Sequence, residues 1–411
     1  MMEEPFADRL KALGVTIGTH DLRPQPRQQV NFPIEEILPG QEIETPYGPA
    51  FVIEESHPVS NQYGISQLNF RSPPELLASY CNFPGLTEAS ADQYYFIDTE
   101  TTGLGLGTGV FAFLIGMGRY SRDNFIIHQY FLRDPGEELA ALAAISTEIG
   151  DHPVIVSFNG KAFDIPLLKN RYILNSLTSP FESAAQLDLL HLARRLWRDR
   201  LPSRTLINLE GQILAAERSM EDVPGWIIPQ LYKDYLHTQD ARLIKNVFYH
   251  NSKDILAMAG LLNYVGAMLA APLENPDIHE IDIASIGTLH ENLGNTEEAI
   301  QIYEHCLHLE MPSDIRNSTL QRLALLYKRN SRWKRALSLW VEAADHQQIY
   351  ACIELAKYYE HHARKPKDAV YWVQRAFDLL TESGEKILWE DELKHRMNRL
   401  QNKLERSIGG E

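Results

Sequence analysis

Asp98 and Glu100 stand two residues apart at the end of the apolar run Tyr94-Tyr95-Phe96-Ile97, ahead of Thr101-Thr102-Gly103-Leu104. An aromatic and aliphatic run of this length reads as a buried strand. Residues i and i+2 of a strand leave from one face, so the two carboxylates project together from its end. Unpaired, they would repel each other, which points to a divalent cation between them. Two further acidic motifs follow. Asp164 closes Ser157-Phe158-Asn159-Gly160-Lys161-Ala162-Phe163-Asp164, after the apolar run Val154-Ile155-Val156 and at the start of a helical spacing through Phe163, Leu167 and Leu168. His250 and Asp254 belong to Tyr249-His250-Asn251-Ser252-Lys253-Asp254, in a stretch whose apolar positions (Leu243, Val247, Ile255, Met258, Leu261, Leu262) have helical period. Four residues apart, they share one helical face.

Each motif alone has an ordinary explanation. The first pair could be solvated strand-end residues, Asp164 a first-turn carboxylate favoured by the helix dipole, and His250 with Asp254 a surface pair. Together, in this order and on these elements, they make the parts of one metal site.

The elements that must position them alternate between strand-like and helix-like over residues 91–270, as in an α/β domain. Residues 1–90 are proline-rich with short apolar runs and read as a small lead-in with β segments. The stretch Ala271-Pro272-Leu273-Glu274-Asn275-Pro276 reads as a linker. Beyond it Ala299, Tyr303 and Cys306 recur as Ala336, Trp340 and Ala343, then as Ala369, Val373 and Ala376. The intervals (299 to 336 to 369) lie around the ~34-residue period of tetratricopeptide repeats. Small residues there let paired helices approach, with the larger one filling the gap. Residues 281–390 are therefore expected to be helical repeats that bind another protein or brace a neighbouring domain, and 391–411 a tail.

The ordered set Asp-x-Glu, Asp, then His and Asp resembles the DEDD exonucleases of the ribonuclease H-like superfold. Three more segments narrow the resemblance to the bacterial YprB-like family, also called mitomycin repair factor B. They are Asp188-Leu189-Leu190-His191-Leu192-Ala193-Arg194-Arg195-Leu196-Trp197, Pro224-Gly225-Trp226-Ile227-Ile228-Pro229 and the C-terminal repeats. The likeness spans residues 30 to 390. It implies a ribonuclease H-like mixed sheet with flanking helices (α/β), followed by an all-α tetratricopeptide-like domain. It also implies a 3′–5′ exonuclease using two divalent cations, Mg²⁺ or Mn²⁺, held by Asp98, Glu100, Asp164 and Asp254. In that scheme Asp98 bridges both ions, and Glu100 and Asp254 serve mainly the ion that binds the attacking water. Asp164 helps hold the other, and His250 takes the proton. Hard ions prefer such oxygen donors, and a histidine titrates near neutrality. In the DEDD groups a histidine usually stands five residues before the last aspartate, or a tyrosine four before it. Here Tyr249 is five before Asp254 and His250 four, so Tyr249 stays open as an alternative base. By resemblance DNA ranks ahead of RNA as substrate, DNA repair is the setting, and a helicase is a candidate partner for the repeats.

Thr102, Asn159, Lys161, Arg194 and Arg198 are candidate substrate contacts. Arg194, Arg195, Arg198, Arg200 and Arg204 form the densest basic patch in the chain. The patch fits equally a track for phosphates and a solvated helix face. Phe158 and Phe163 could stack on a terminal base or pack in the core. Asp188 could support the metal site or, the reading we favour, cap the helix that follows it. The glycine-rich run 103–109 lacks the following helix that a dinucleotide site requires, because Val110-Phe111-Ala112-Phe113-Leu114-Ile115-Gly116 reads as a strand. It is expected instead to be a turn that lets substrate approach Glu100.

The chain's 411 residues allow two or three domains. A net charge of −16 argues against broad nonspecific attraction to nucleic acid, although a local arginine patch and metals can supply positive charge. Three scattered cysteines offer neither a disulfide framework nor a zinc cluster, as expected of a cytoplasmic protein. No uninterrupted apolar run reaches about 18 residues, so no membrane association is expected. A non-catalytic scaffold that binds nucleic acid or protein is the competing function class.

Overall fold

The computed structural model describes residues 32–71, 74–103, 107, 109–383 and 386–408. It divides into two units that meet in sequence between Ala271 and Pro272.

The first unit is built on a seven-stranded sheet. Its strands are β1 (Gly40–Thr45), β2 (Gly48–Pro58), β5 (Tyr94–Thr101), β6 (Ala112–Ser121), β7 (Asn124–Phe131), β8 (Val154–Ser157) and β9 (Ala185–Asp188). Their order is β1-β2-β7-β6-β5-β8-β9. The small strands β3 (Gln62–Tyr63) and β4 (Ser66–Gln67) pair separately. β5, β6 and β7 form an antiparallel meander, and β8 and β9 add in parallel on the other side of β5. β5 is thus central, which explains why Tyr94 to Ile97 are all buried rather than alternating. β6 directly follows the glycine-rich run, as expected; residues 104–106 and 108 of that run lie outside the described residues.

Helices α1 (Ile34–Ile37), α2 (Glu75–Cys81), α3 (Glu138–Glu148), α4 (Asp164–Leu174), α5 (Leu189–Leu196), α6 (Leu206–Gln212), α7 (Ile228–Thr238) and α8 (Lys245–Ala270) flank the sheet. α8 is long and apolar enough to cross a membrane by length and composition, but 72% of that apolar window is buried. Its composition is that of a core helix lying against β5 and β6. Gly116 of β6 makes the approach close: a Cβ there would come within 2.1 Å of Asn251 Oδ1 on α8. Elsewhere Phe113 of β6 stacks on Tyr232 of α7 at 4.0 Å between ring centroids. Burying aromatic side chains of this size stabilises by about 1.5–3 kcal/mol each.

Within the expected lead-in, residues 40–58 belong to the sheet itself. Phe51 to Pro58 of β2 pair antiparallel with Phe131 to Asn124 of β7, so this stretch supplies the edge of the same sheet. A partner so distant in sequence leaves no local signal. Residues 1–31 lie outside the described residues.

The second unit is helical: α9 (Glu280–Asn292), α10 (Thr296–Cys306), α11 (Ser313–Arg329), α12 (Trp333–Asp345), α13 (Ile349–His361), α14 (Pro366–Ser383) and α15 (Lys386–Ile408). The recurring positions fall on α10, α12 and α14, where Ala299, Tyr303, Ala336, Trp340, Ala343, Ala369, Val373 and Ala376 are buried in one core. α15 runs through most of the stretch set apart as a tail. Leu393 and Leu400 join the repeat core, which draws the helix onto α14.

Candidate active site

β5 delivers Asp98 and Glu100 to its exit from the sheet, where burial gives way to partial exposure. The parallel neighbour β8 ends at Ser157, and its chain turns through Asn159, which adopts a left-handed conformation (φ 68°). Gly160 follows, in a space where a Cβ would lie 2.6 Å from the Cβ of Ser157 and 3.0 Å from Asp164 Oδ2. This tight turn places Asp164 at the first residue of α4, beside the end of β5. Thr99 Oγ1 donates a hydrogen bond to Asp164 Oδ1 and so ties the two elements together.

α8 brings the rest. His250 Nε2 lies 3.7 Å from Asp254 Oδ2 and 4.0 Å from Glu100 Oε1. One residue along, Asn251 donates from Nδ2 to Asp98 Oδ2 at 2.8 Å. Asp98, Glu100, Asp164, His250 and Asp254 therefore meet at one place, from three elements.

The electrostatics are those of crowded negative charge. Burial, then the carboxylates of Asp254 and Asp164, push the Asp98 carboxyl well above the usual carboxylate range. Burial, then Asp98, Asp254 and Asp164, do the same to Glu100. Asp164 is raised by burial against the opposing pull of its bond from Thr99. Oxygen-only donors whose charges repel suit a hard divalent cation, which would relieve that repulsion. As they are placed, no group of three or more His, Cys, Asp and Glu side chains among the described residues is arranged to hold an ion. Arg218 joins the cluster. Its guanidinium pairs with Asp254 and, at 2.7 Å, with the buried Glu210. Burial opposes the Arg218 charge, but Asp254 and Glu210 more than offset that and keep it protonated.

Tyr249 and His250 differ in what they touch. The Tyr249 hydroxyl accepts a hydrogen bond from the Ser219 N–H at 2.8 Å, and Lys253 Nζ lies 5.2 Å from its ring. It anchors a loop. His250 bonds through Nδ1 to Asp222 Oδ1 at 2.7 Å and turns its other nitrogen to the carboxylates.

The candidate substrate contacts sit less uniformly. The Asp188 carboxylate accepts from the backbone N–H groups of Asn159 (2.8 Å), Lys161 (3.2 Å) and Leu190 (3.0 Å). It thus caps α5 and fastens the turn before Asp164 to the end of β9. Thr102 accepts at Oγ1 from Phe111 N at 3.3 Å, closing the β5–β6 connection. Phe163, next to Asp164, is 54% exposed, whereas Phe158 is partly buried. Arg194, Arg195 and Arg198 are exposed; Arg198 pairs with Asp199, and Arg195 lies over the Tyr80 ring.

Sequence reasoning missed Arg218, Asp222 and Asn251. Asn251 could have been found, as a polar residue inside an apolar helical pattern between His250 and Asp254. Arg218 and Asp222 lie in a segment without periodicity, 36 and 28 residues from their partners Asp254 and His250, and nothing local marks them.

Comparison with known proteins agrees with this architecture. The RNase H superfamily model matches residues 95–266, which hold all five residues of the cluster. A tetratricopeptide repeat model matches residues 283–314. A Bacillus subtilis protein described as uncharacterized protein YprB is 33% identical over 321 residues, covering 75% of this chain and 75% of its own.

Proposed function

The chain belongs to the YprB-like family, a ribonuclease H-like domain followed by tetratricopeptide repeats, and on that basis we propose that it is a metal-dependent 3′–5′ exonuclease of the DEDD type. The observation that carries this reading is the convergence of Asp98, Glu100, Asp164 and Asp254 with His250 Nε2 turned toward them.

The four carboxylates would hold two divalent cations, Mg²⁺ or Mn²⁺. When bound, such ions supply Lewis-acid stabilisation to the incoming and leaving oxygens of a phosphoryl displacement. The rest of the chemistry falls to the chain. His250 accepts the proton of the attacking water at Nε2. Asn251 and Thr99 hold Asp98 and Asp164 in place. Phe163 offers an exposed ring beside Asp164 on which a terminal base can stack. Thr102, Asn159, Lys161, Arg194 and Arg198 are the candidate contacts for the phosphate backbone. DNA ahead of RNA as substrate, repair as the setting and a partner such as a helicase for the repeats rest on the family resemblance. The unpaired cysteines Cys81, Cys306 and Cys352 fit a cytoplasmic location.

One observation favours a second reading, a domain that binds nucleic acid without cutting it: Arg218 already neutralises Asp254. The deciding experiment uses single-stranded DNA and RNA of one sequence, labelled at the 5′ end, with Mg²⁺, Mn²⁺ or EDTA. A metal-dependent ladder that Asp98→Asn abolishes supports the exonuclease and names its sugar. Intact substrates under every condition put the binding domain first.

A further inference from the structure

We propose that Asp222 is the positioning residue of the base: through Nδ1 it fixes the tautomer and the ring orientation of His250, leaving the Nε2 lone pair facing the carboxylate cluster. This rests on the reading of His250 as the proton acceptor of the proposed reaction.

An ionised carboxylate only accepts hydrogen bonds, so a short contact to an imidazole nitrogen requires a proton on that nitrogen. Asp222 Oδ1 makes that contact with Nδ1 at 2.7 Å. The other group near Nδ1, Arg218 Nη1, stands off at 3.4 Å and, being a donor, cannot bond a nitrogen that carries a proton. With the proton on Nδ1, neutral His250 presents an unshared pair at Nε2. Asp254 Oδ2 at 3.7 Å and Glu100 Oε1 at 4.0 Å are too distant to hydrogen-bond that nitrogen directly.

Asp222 is itself held. Its N–H donates to Ser219 O at 3.2 Å, and its Oδ2 lies 3.5 Å from Arg218 Nη1. Ser219 N in turn bonds the Tyr249 hydroxyl, and Arg218 grips the buried Glu210. The segment from Arg218 to Asp222 is thus clamped onto two consecutive residues of α8, Tyr249 and His250. Side-chain exposures of 9% for His250 and 19% for Asp222 set the pair apart from mobile surface partners. A residue that orients a base in this way is worth far more to turnover than to substrate binding.

The test uses the full-length protein with ¹⁵N-labelled histidine, metal-free and at mildly alkaline pH, with the His250 signals assigned by their loss in His250→Gln. We expect a protonated Nδ1 and an unprotonated Nε2 in the wild type, and a redistribution of the proton in Asp222→Leu and Asp222→Asn. On a 5′-labelled oligonucleotide with Mn²⁺, both variants should lose about 10- to 100-fold in kcat with KM little changed. Their Mn²⁺ affinity by calorimetry should match the wild type, and Asp222→Glu should recover part of the loss. A wild type that cuts but carries its proton on Nε2 overturns the positioning role, as do folded variants with wild-type kcat. A wild type that cuts nothing yet shows the Nδ1–H tautomer overturns the nuclease reading instead, and not the Asp222–His250 arrangement.

Discussion

Asn251 donates from Nδ2 to both the side-chain Oδ2 (2.8 Å) and the backbone carbonyl (3.2 Å) of Asp98, joining the central strand to the long core helix at the acidic cluster. Asn251 is fully buried, and its own Oδ1 accepts from Gln129 Nε2 at 2.9 Å. It therefore fixes the distance between the carboxylates of β5 and that of Asp254 on α8. Asn251→Leu should cost about 1–3 kcal/mol of stability, through the buried polar groups left unpaired. Turnover should fall by more than the loss of folded protein explains. Denaturant unfolding and cleavage measured on the same preparations separate the two effects.

Asp98→Asn keeps an acceptor for Asn251 while removing one of the crowded charges. Cleavage should drop below about one-thousandth of wild type. The metal-free melting temperature should hold or rise, because repulsion is relieved. Added Mn²⁺ should stabilise the wild type and lose most of that effect on the variant. A variant that melts well below wild type without metal would make Asp98 a structural residue.

The raised carboxyls of Asp98 and Glu100 set a pH dependence for the metal-free protein. Between their unfolded and folded values the native state binds protons that the unfolded chain has released. Stability must then fall as pH rises through that window, from the ordinary carboxylate range upward. Urea midpoints in EDTA between about pH 5 and about pH 8 should show this slope, and it should shrink in Asp98→Asn. A flat profile in the wild type would mean that the cluster is already neutralised, with Arg218 the first suspect.

His250→Gln should lose most turnover, whereas Tyr249→Phe should lose little, since the Tyr249 hydroxyl is engaged by Ser219 N. Single-turnover cleavage of the two variants decides between them. A more damaging Tyr249→Phe would transfer the role of base to the tyrosine.

In the repeat unit Glu360 is the hub of a charged cluster, accepting from Arg396 (2.9 Å), Arg399 (2.7 Å) and Lys403 (2.9 Å). Burial works against the ionised carboxylate, but the bonds from Arg399 and Lys403 outweigh it and bring Glu360 down to about 2. A depressed carboxylate stabilises the fold above its unfolded value and loses that contribution as pH falls through the folded one. The loss should thus fall between the ordinary glutamate value and about 2. Glu360→Gln should cost about 1.5–3 kcal/mol at neutral pH. Hydrogen exchange should quicken in peptides covering Ile349–His361 and Lys386–Ile408, and cleavage of a short oligonucleotide should be unaffected.

Local periodicity determined much of this protein from sequence alone. The run ahead of Asp98 specified a buried strand, the alternation of a strand put Asp98 and Glu100 on one face, and the helical period put His250 and Asp254 on another. The recurrence of Ala299, Ala336 and Ala369 gave the repeats. Such patterns are legible because they follow from the geometry of a single element meeting a core. Tertiary structure alone decided the rest. It sent residues 48–58 into the sheet between β1 and β7, and it made Asp188 a brace for the turn before Asp164 as well as a helix cap. It brought Asn251 against Asp98, and Arg218 and Asp222 against Asp254 and His250. Each of these contacts joins segments far apart in sequence, and their side chains meet only after the intervening chain has packed. No spacing within either segment encodes them.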